Sequence, residues 1–246
     1  MKKDSFILHE LLESEGLKNG NVKERCPYGE RTCPALIELE NLRKRCRILE
    51  RLVSTDPLTG LYNFRHFIEA LEQEMERSRR TGQPTSLIMI DLDFFKKIND
   101  KYGHQAGNKA LRYASNLWKK NTRKIDVACR YGGEEFAIIL PATSITRAIQ
   151  IAERLRKKLE TTLIPINGKR IKLTASFGVD TFFPHEKLKP DSFIKRTDQY
   201  LLEAKRKGRN KVCFNQELLK VKVGVTKEER VAINEIIKEQ KHPNRG

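Results

Sequence analysis

The chain has 246 residues, of which 38% are hydrophobic and 33% charged, and its formal net charge is +17. This length allows one sizeable core with some extensions. No apolar run is long enough to cross a bilayer, and the start, Met1-Lys2-Lys3-Asp4, lacks the apolar core of a secretion signal. We therefore expect a cytoplasmic protein, and the odd number of cysteines, five, favours a reducing compartment over a disulfide framework.

The positive charge has two interpretations. A basic surface can bind nucleic acid, and it can equally bind nucleoside triphosphates and cyclic dinucleotides, which are polyanions. The sequence has no zinc finger or RNA-binding signature, and its basic residues are spread along the chain. We therefore expect small phosphorylated ligands and consider nucleic acid the minor alternative.

Residues 1–34 form an N-terminal segment whose role and input signal the sequence does not define. Ser5 to Leu12 has the pattern of a short amphipathic helix. Three cysteines and a histidine are candidates for a zinc or iron–sulfur site: Cys26, Cys33, Cys46 and His9. Their spacing is not one of the usual short-pair zinc patterns, so reduced structural thiols are the favoured interpretation.

Residues 35–55 are predicted to form a helical stalk. Apolar positions alternate at spacings of four and three along a heptad seam, at Ala35, Leu39, Leu42, Cys46, Leu49 and Val53. The pattern is typical of a parallel coiled coil that pairs two chains, or of one amphipathic helix packed on its own domain.

Helical and strand patterns then alternate. We predict helices at residues 64–80, 94–100, 106–120, 143–160 and 190–207, and strands at 86–92, 127–129, 136–140, 170–180 and 211–214. This order indicates an α+β domain with a mixed or mostly antiparallel sheet. Residues 216–246 are predicted to form a C-terminal helical tail, because a capping box at Thr226 precedes a partly apolar run.

Two acids end the predicted central strand. The run from Ser86 is apolar on both faces, which is typical of a covered strand, and it closes with Asp91 and Asp93. Acids at the carboxyl end of a strand lie where α/β sheets place ligands. Residues two apart leave a strand on the same face. The free N–H groups of the helix that follows can bind an anion, so the pattern indicates a carboxylate-held metal facing a phosphate.

A Gly-Gly turn with two acids follows. Apolar runs flank Gly132 and Gly133 and predict a β-hairpin whose tip carries Glu134 and Glu135. Glycines let the backbone approach a bulky anion, and a carboxylate can hold a metal against that anion. The alternative is a solvated hairpin tip.

Together these motifs resemble the GGDEF-domain diguanylate cyclases. The resemblance spans about Asp56 to Phe214, and we assign residues 56–215 to this domain. It is carried by Asp56–Asn63, Asp91–Asp100, Tyr102–Gly107, Gly132–Phe136, Ser176–Val179 and Lys205–Asn210. It implies a nucleotidyl-cyclase-like, ferredoxin-related sheet domain that condenses two GTP into cyclic di-GMP and two pyrophosphates. The family often carries a stalk ahead of this domain, which favours a homodimer over the packed helix.

The resemblance also implies residue roles. Asp91, Glu134 and the Leu92 carbonyl would bind Mg²⁺ or Mn²⁺, since hard oxygen ligands suit these ions. Glu135 would accept the proton of the 3′-hydroxyl, and Lys96 would stabilise charge in the transition state. The other nucleotide contacts would come from Phe94, Phe95, Asn99, Asn108, Lys205 and Arg209.

An inhibitory product site is implied by Arg123 and Asp126, at the family's Arg-x-x-Asp offset before the hairpin, with Arg154 on the next helix. Two positions depart from the family: its tyrosine near the end of the last helix is Leu202, and its second base-reading residue, usually Asp, is Asn108. Two alternatives remain: a relaxed cyclase that also makes cyclic GMP–AMP, and a non-catalytic nucleotide receptor.

Overall fold

The computed structural model describes residues 34–166 and 169–216. The chain divides into two compact units, with the boundary after Ser54. The predictions for Ser5–Leu12, for His9, Cys26 and Cys33, and for a helix after Thr226 lie outside the described residues.

The first unit contains helix α1, Pro34–Ser54, which confirms the helix predicted from the heptad seam. Proline is tolerated here because the first turn of a helix needs no N–H donor. Five seam residues are exposed: Leu39, Leu42, Cys46, Leu49 and Val53. Pairing with a second chain through this seam stays a prediction.

The second unit is built on a five-stranded sheet in the order β2-β3-β1-β6-β7. The strands are β1 Thr85–Leu92, β2 Val127–Gly132, β3 Glu135–Leu140, β6 Ala175–Phe182 and β7 Val212–Phe214. All neighbours are antiparallel except β6 and β7, which are parallel. This confirms the predicted α+β class and the mostly antiparallel sheet.

Helices cover both faces of this sheet. They are α2 Phe64–Thr81, α3 Phe95–Tyr102, α4 His104–Asn121, α5 Ile145–Thr161 and α6 Pro190–Arg206. One core contains Trp118, whose indole meets Phe136 and Phe177 edge-on. The other contains Phe67 and Phe193. Because β1 sends alternate side chains into each core, it is apolar on both faces.

The strand predicted at residues 170–180 is wrong in extent, because the structure divides it into two strands. β5, Lys169–Lys172, pairs with an unpredicted strand, β4 Leu163–Ile166, as a separate two-stranded sheet. Thr174 lies in the break between β5 and β6, where its carbonyl accepts from the N–H of Asp93 at 2.9 Å. This bond continues the pairing of β6 with β1, whereas β5 pairs with β4.

Gly178 on β6 allows α6 to approach the sheet closely. A Cβ at this position would collide with backbone atoms of Thr197 and Leu201.

Within the part of the chain that the structure describes, no helix is both long and apolar enough to span a bilayer.

Candidate active site

The candidate site lies where the carboxyl end of β1 meets the β2–β3 hairpin tip. Asp91 pairs with Glu135 on β3 and with Ser176 on β6. The N–H of Leu92 donates to the carbonyl of Glu134 at 3.2 Å. The register of the sheet therefore brings together the two acidic motifs, which are more than forty residues apart in the sequence.

Three carboxylates crowd this point. Asp91 is 8% exposed, and its Oδ2 accepts from Nζ of Lys205 at 2.7 Å. Burial raises the pKa of Asp91, while Lys205 opposes the rise. The pKa values of Glu134 and Glu135 are raised too, first by partial burial and then by the charge of Asp91. The fold thus gathers more negative charge than Lys205 neutralises.

This crowding suits a divalent cation. The predicted donor set is two carboxylates, Asp91 and Glu134, with the backbone carbonyl of Leu92. Magnesium keeps several waters and needs only one or two protein carboxylates. Among residues 34–166 and 169–216, no group of three or more His, Cys, Asp or Glu side chains is placed to hold a metal. The predicted set would be an open site of hard oxygen ligands that includes a backbone carbonyl.

The start of α3 is the predicted phosphate side of the site. Phe94 precedes the helix in a left-handed conformation with φ 54°, so α3 begins one residue later than predicted. Its ring is 51% exposed. The guanidinium of Arg209 lies 4.6 Å from the ring centroid, and Nζ of Lys97 lies 4.7 Å from it. Lys96 is exposed in the first turn of the helix.

Gly107 lies against one candidate base-reading residue, Asn99, and directly precedes the other, Asn108. A Cβ at Gly107 would collide with Oδ1 of Asn99, so the asparagine packs directly on the glycine backbone. Asn108 follows Gly107 in α4 and is exposed. The sequence motif contains Gly107, but its part in seating Asn99 becomes visible only when α3 packs on α4.

Arg130 and Asp56 form a brace for the hairpin tip, a role that the sequence motifs do not indicate. Arg130 donates from Nη1 to both carboxylate oxygens of Asp56, at 3.1 and 3.3 Å. It also donates from Nε and Nη2 to the carbonyl of Gly133, at 3.0 and 2.8 Å. The backbone and hydroxyl of Thr59 donate to Asp56 in turn. The opening motif therefore holds the tip that carries Glu134.

Comparison with known proteins identifies the domain. The family profile described as "Diguanylate cyclase, GGDEF domain" matches residues 53–211. The chain belongs to the GGDEF-domain family.

Relatives and solved structures agree with this assignment. The chain is 40% identical over 163 residues to the response regulator PleD of Caulobacter vibrioides, covering 65% of this chain and 36% of PleD. It is 39% identical over 175 residues to diguanylate cyclase A of Treponema denticola, covering 70% of this chain and 47% of that protein. The chain thus spans less than half the length of these curated relatives.

Among solved structures, the coiled coil and GGDEF domain of DgcB from Caulobacter crescentus, in complex with cyclic di-GMP, superimposes with a TM-score of 0.68 at 29% identity. The match covers 73% of this chain and 95% of that one. Diguanylate cyclase SiaD from Pseudomonas aeruginosa, in complex with its activator SiaC, matches with a TM-score of 0.66 at 36% identity, covering 73% and 68%. The fold is therefore the expected nucleotidyl-cyclase-like one.

The candidate product site of this GGDEF domain is a closed turn before β2. The N–H of Arg123 donates to Oδ2 of Asp126 at 2.7 Å. Oδ1 of Asp126 is buried and has no hydrogen-bond partner among the described residues. Burial raises the pKa of Asp126, and the nearby cations Arg123 and Arg154 oppose the rise. The structure thus brings the three predicted residues together around one free acceptor.

Leu202, where the family carries a tyrosine, is 42% exposed on α6 of the GGDEF domain. An apolar side chain in this position makes no hydrogen bond, so whatever polar contact a tyrosine hydroxyl provides is lost here.

Proposed function

We propose that this chain is a diguanylate cyclase that condenses two GTP into cyclic di-GMP and releases two pyrophosphates. The single observation that carries the proposal is the meeting of Asp91, Glu134 and Glu135 with Lys205 beside the α3 start. GTP is a cytoplasmic metabolite, so we place the reaction in the cytoplasm.

Each residue has a defined task in this reaction. The 3′-oxygen of one nucleotide attacks the α-phosphorus of the other, and the bond between the α-phosphorus and the pyrophosphate oxygen breaks. Glu135 accepts the hydroxyl proton, and its raised pKa makes it a better base than an ordinary carboxylate. Lys205 and Arg209 hold the outgoing phosphates, and Lys96 offsets the charge that develops.

Asp91, Glu134 and the carbonyl of Leu92 would hold Mg²⁺ or Mn²⁺. When bound, the ion neutralises phosphate charge and makes the 3′-hydroxyl more acidic.

One half-reaction per domain requires two domains facing each other, so we propose a homodimer. The exposed seam of α1 supports this, as does the presence of a coiled coil together with the GGDEF domain in the DgcB structure.

The test is to incubate the purified chain with GTP and Mg²⁺ and to identify the products by mass spectrometry, with Asp91→Asn as the control. We expect cyclic di-GMP and pyrophosphate from the wild type alone. Nucleotide binding without any product would favour the receptor alternative, against which the intact set of candidate side chains argues.

We also propose feedback inhibition by cyclic di-GMP at Arg123, Asp126 and Arg154. Arginine matches the O6 and N7 edge of guanine, and a carboxylate accepts from guanine N–H groups, so product binding would have to uncover the buried Oδ1 of Asp126. Arg123→Ala should raise the cyclic di-GMP concentration needed for half-inhibition about tenfold or more. Equal sensitivity of variant and wild type to added cyclic di-GMP would remove the basis for this site.

A further inference from the structure

The short segment Lys207–Asn210, here termed the phosphate loop, joins α6 to β7 in a strained conformation. Gly208, Arg209 and Asn210 all have positive φ, at 104°, 65° and 46°. Left-handed backbone is unfavourable for an arginine and persists only where the surroundings enforce it. The contacts that enforce it here therefore control where Arg209 points.

Asp93 provides the first of these contacts. It is 4% exposed, and its Oδ2 accepts from the backbone N–H of Asn210 at 3.0 Å. The hydroxyl of Thr174 donates to the same oxygen at 2.8 Å, and the hydroxyl of Ser176 donates to Oδ1 at 2.7 Å. Asp93 thus faces donors of the protein, whereas Asp91 faces Lys205 in the site.

The side chain of Asn210 provides a second attachment, to α5. Its Oδ1 accepts from Nη1 of Arg156 at 3.1 Å, and its Nδ2 donates to Glu160 at 2.8 Å. Arg156 is itself held by Glu153 and Glu160, each at 2.8 Å. One residue of the phosphate loop is therefore tied both to the sheet and to a helix.

Arg209 and Phe94, the chain neighbours of Asn210 and Asp93, lie on the predicted phosphate side of the site. Arg209 directly precedes Asn210, Phe94 directly follows Asp93, and the guanidinium of Arg209 lies over the Phe94 ring. We propose that Asp93 is a positioning residue, which fixes the phosphate loop through Asn210 so that Arg209 meets the nucleotide phosphates. This rests on the proposed function and adds a residue to it.

Two substitutions of Asp93 distinguish a positioning residue from a metal ligand. In Asp93→Asn, the amide oxygen can replace Oδ2 and keep the bonds from Thr174 and Asn210, while the amide nitrogen donates to the Ser176 hydroxyl. In Asp93→Ala, the N–H of Asn210 loses its acceptor. A metal ligand would behave differently, because loss of its charge alone weakens ion binding.

The experiment compares Asp93→Ala and Asp93→Asn in the full chain. We expect Asp93→Ala to raise KM for GTP about tenfold, since hydrogen bonds to charged groups are the stronger ones. Asp93→Asn should recover most of this loss with an unchanged Mg²⁺ dependence. In the Arg209→Ala background, Asp93→Ala should have little further effect on KM, because both changes remove the same contact.

Two readouts do not depend on turnover. Trypsin cleaves after Arg206, Lys207 and Arg209, so mapping its early cuts reports how well the phosphate loop is held. Binding of a non-hydrolysable GTP analogue reports the phosphate contact. In Asp93→Ala, trypsin should cleave the phosphate loop faster than in wild type, and the variant should bind the GTP analogue more weakly. Asp180→Ala is the matched control, a buried carboxylate further along β6 that is paired with Arg196, and it should change neither the loop cuts nor analogue binding.

Several results would overturn the proposal. One is equal tryptic cleavage of Asp93→Ala and wild type, and another is a loosened loop with unchanged analogue binding. Effects of Asp93→Ala and Arg209→Ala that simply add would indicate a general structural role, and a shifted Mg²⁺ dependence in Asp93→Asn would indicate a metal ligand. If the wild type makes no cyclic di-GMP, the proposed function fails, while cleavage and analogue binding still decide the role of Asp93.

Discussion

Burial raises the pKa values of Asp91, Glu134 and Glu135, so the fold holds these carboxylates where their charged forms are disfavoured. The folded state then binds protons more readily than the unfolded chain. Their contribution to stability falls as the pH rises from the ordinary carboxyl pKa through the raised values, and the full cost is present at neutral pH. A bound divalent cation would relieve it.

Glu134→Gln tests whether crowding of these carboxylates lowers the stability of the fold. Without metal at neutral pH, the variant should melt at a higher temperature than wild type, because it removes one of the crowded charges. It should lose turnover at least a hundredfold and gain less stability from added Mg²⁺. Thermal unfolding with and without Mg²⁺ measures this, with exposed Glu72→Gln as the charge-matched control. A Glu134→Gln variant that melts lower and stays active would contradict the assignment.

Asn108 is predicted to contact the nucleotide base. Guanine presents two adjacent donors, N1–H and the N2 amino group, and a carboxylate accepts from both, whereas an amide offers one acceptor and one donor. A bidentate base contact discriminates by roughly 1–3 kcal/mol. We expect some mixed cyclic GMP–AMP from equimolar GTP and ATP, and less of it from Asn108→Asp. If wild type ignores ATP and Asn108→Asp changes nothing, this departure from the family is silent.

At the scale of elements, alternating apolar runs predict the hairpin, the central strand and the helices because each is a local pattern. The division between β5 and β6 is not a local pattern, because the two parts have different partners: β5 pairs with β4, whereas Thr174 bonds to Asp93, 81 residues earlier. The same limit applies to Arg130: its place beside the glycines is visible in the sequence, but its pairing with Asp56 requires the folded sheet. Chemistry-bearing residues are thus predictable by motif, whereas the residues that position them are not.

The brace between Asp56 and Arg130 can be tested at the scale of elements. Asp56→Asn removes the charge that orients Arg130, whose bonds to Gly133 hold the hairpin tip. We expect turnover to fall several-fold and the amides of residues 132–135 to exchange hydrogen faster, since a half-buried ion pair contributes more than an exposed one. Glu69→Gln, which breaks the exposed pair with Arg65, is the control and should leave both unchanged. Unaltered exchange in Asp56→Asn would show that the tip does not depend on the brace.

At the scale of the whole molecule, the heptad seam of α1 would affect the rate of a reaction that needs two GGDEF domains. The proposed reaction joins two nucleotides, each held by one domain, so its rate depends on how often two domains meet. A paired stalk would raise their effective concentration without adding any contact at the site. The exposure of Leu42 and Leu49 on α1 leaves side chains available for such pairing.

Deleting residues 1–54 should therefore lower specific activity and make it rise with protein concentration, while each domain keeps its affinity for a GTP analogue. Leu42→Glu combined with Leu49→Glu should reproduce this in the full chain, because charges within an apolar seam prevent pairing. Lys44→Glu, a charge reversal at the heptad position opposite the seam on the same helix, is the control and should stay near wild type. Activity at a series of concentrations, with sedimentation to measure the dimer fraction, gives the answer. A truncated chain that is as active as the full chain at nanomolar concentration would refute the role of the stalk, since two domains could then find each other unaided.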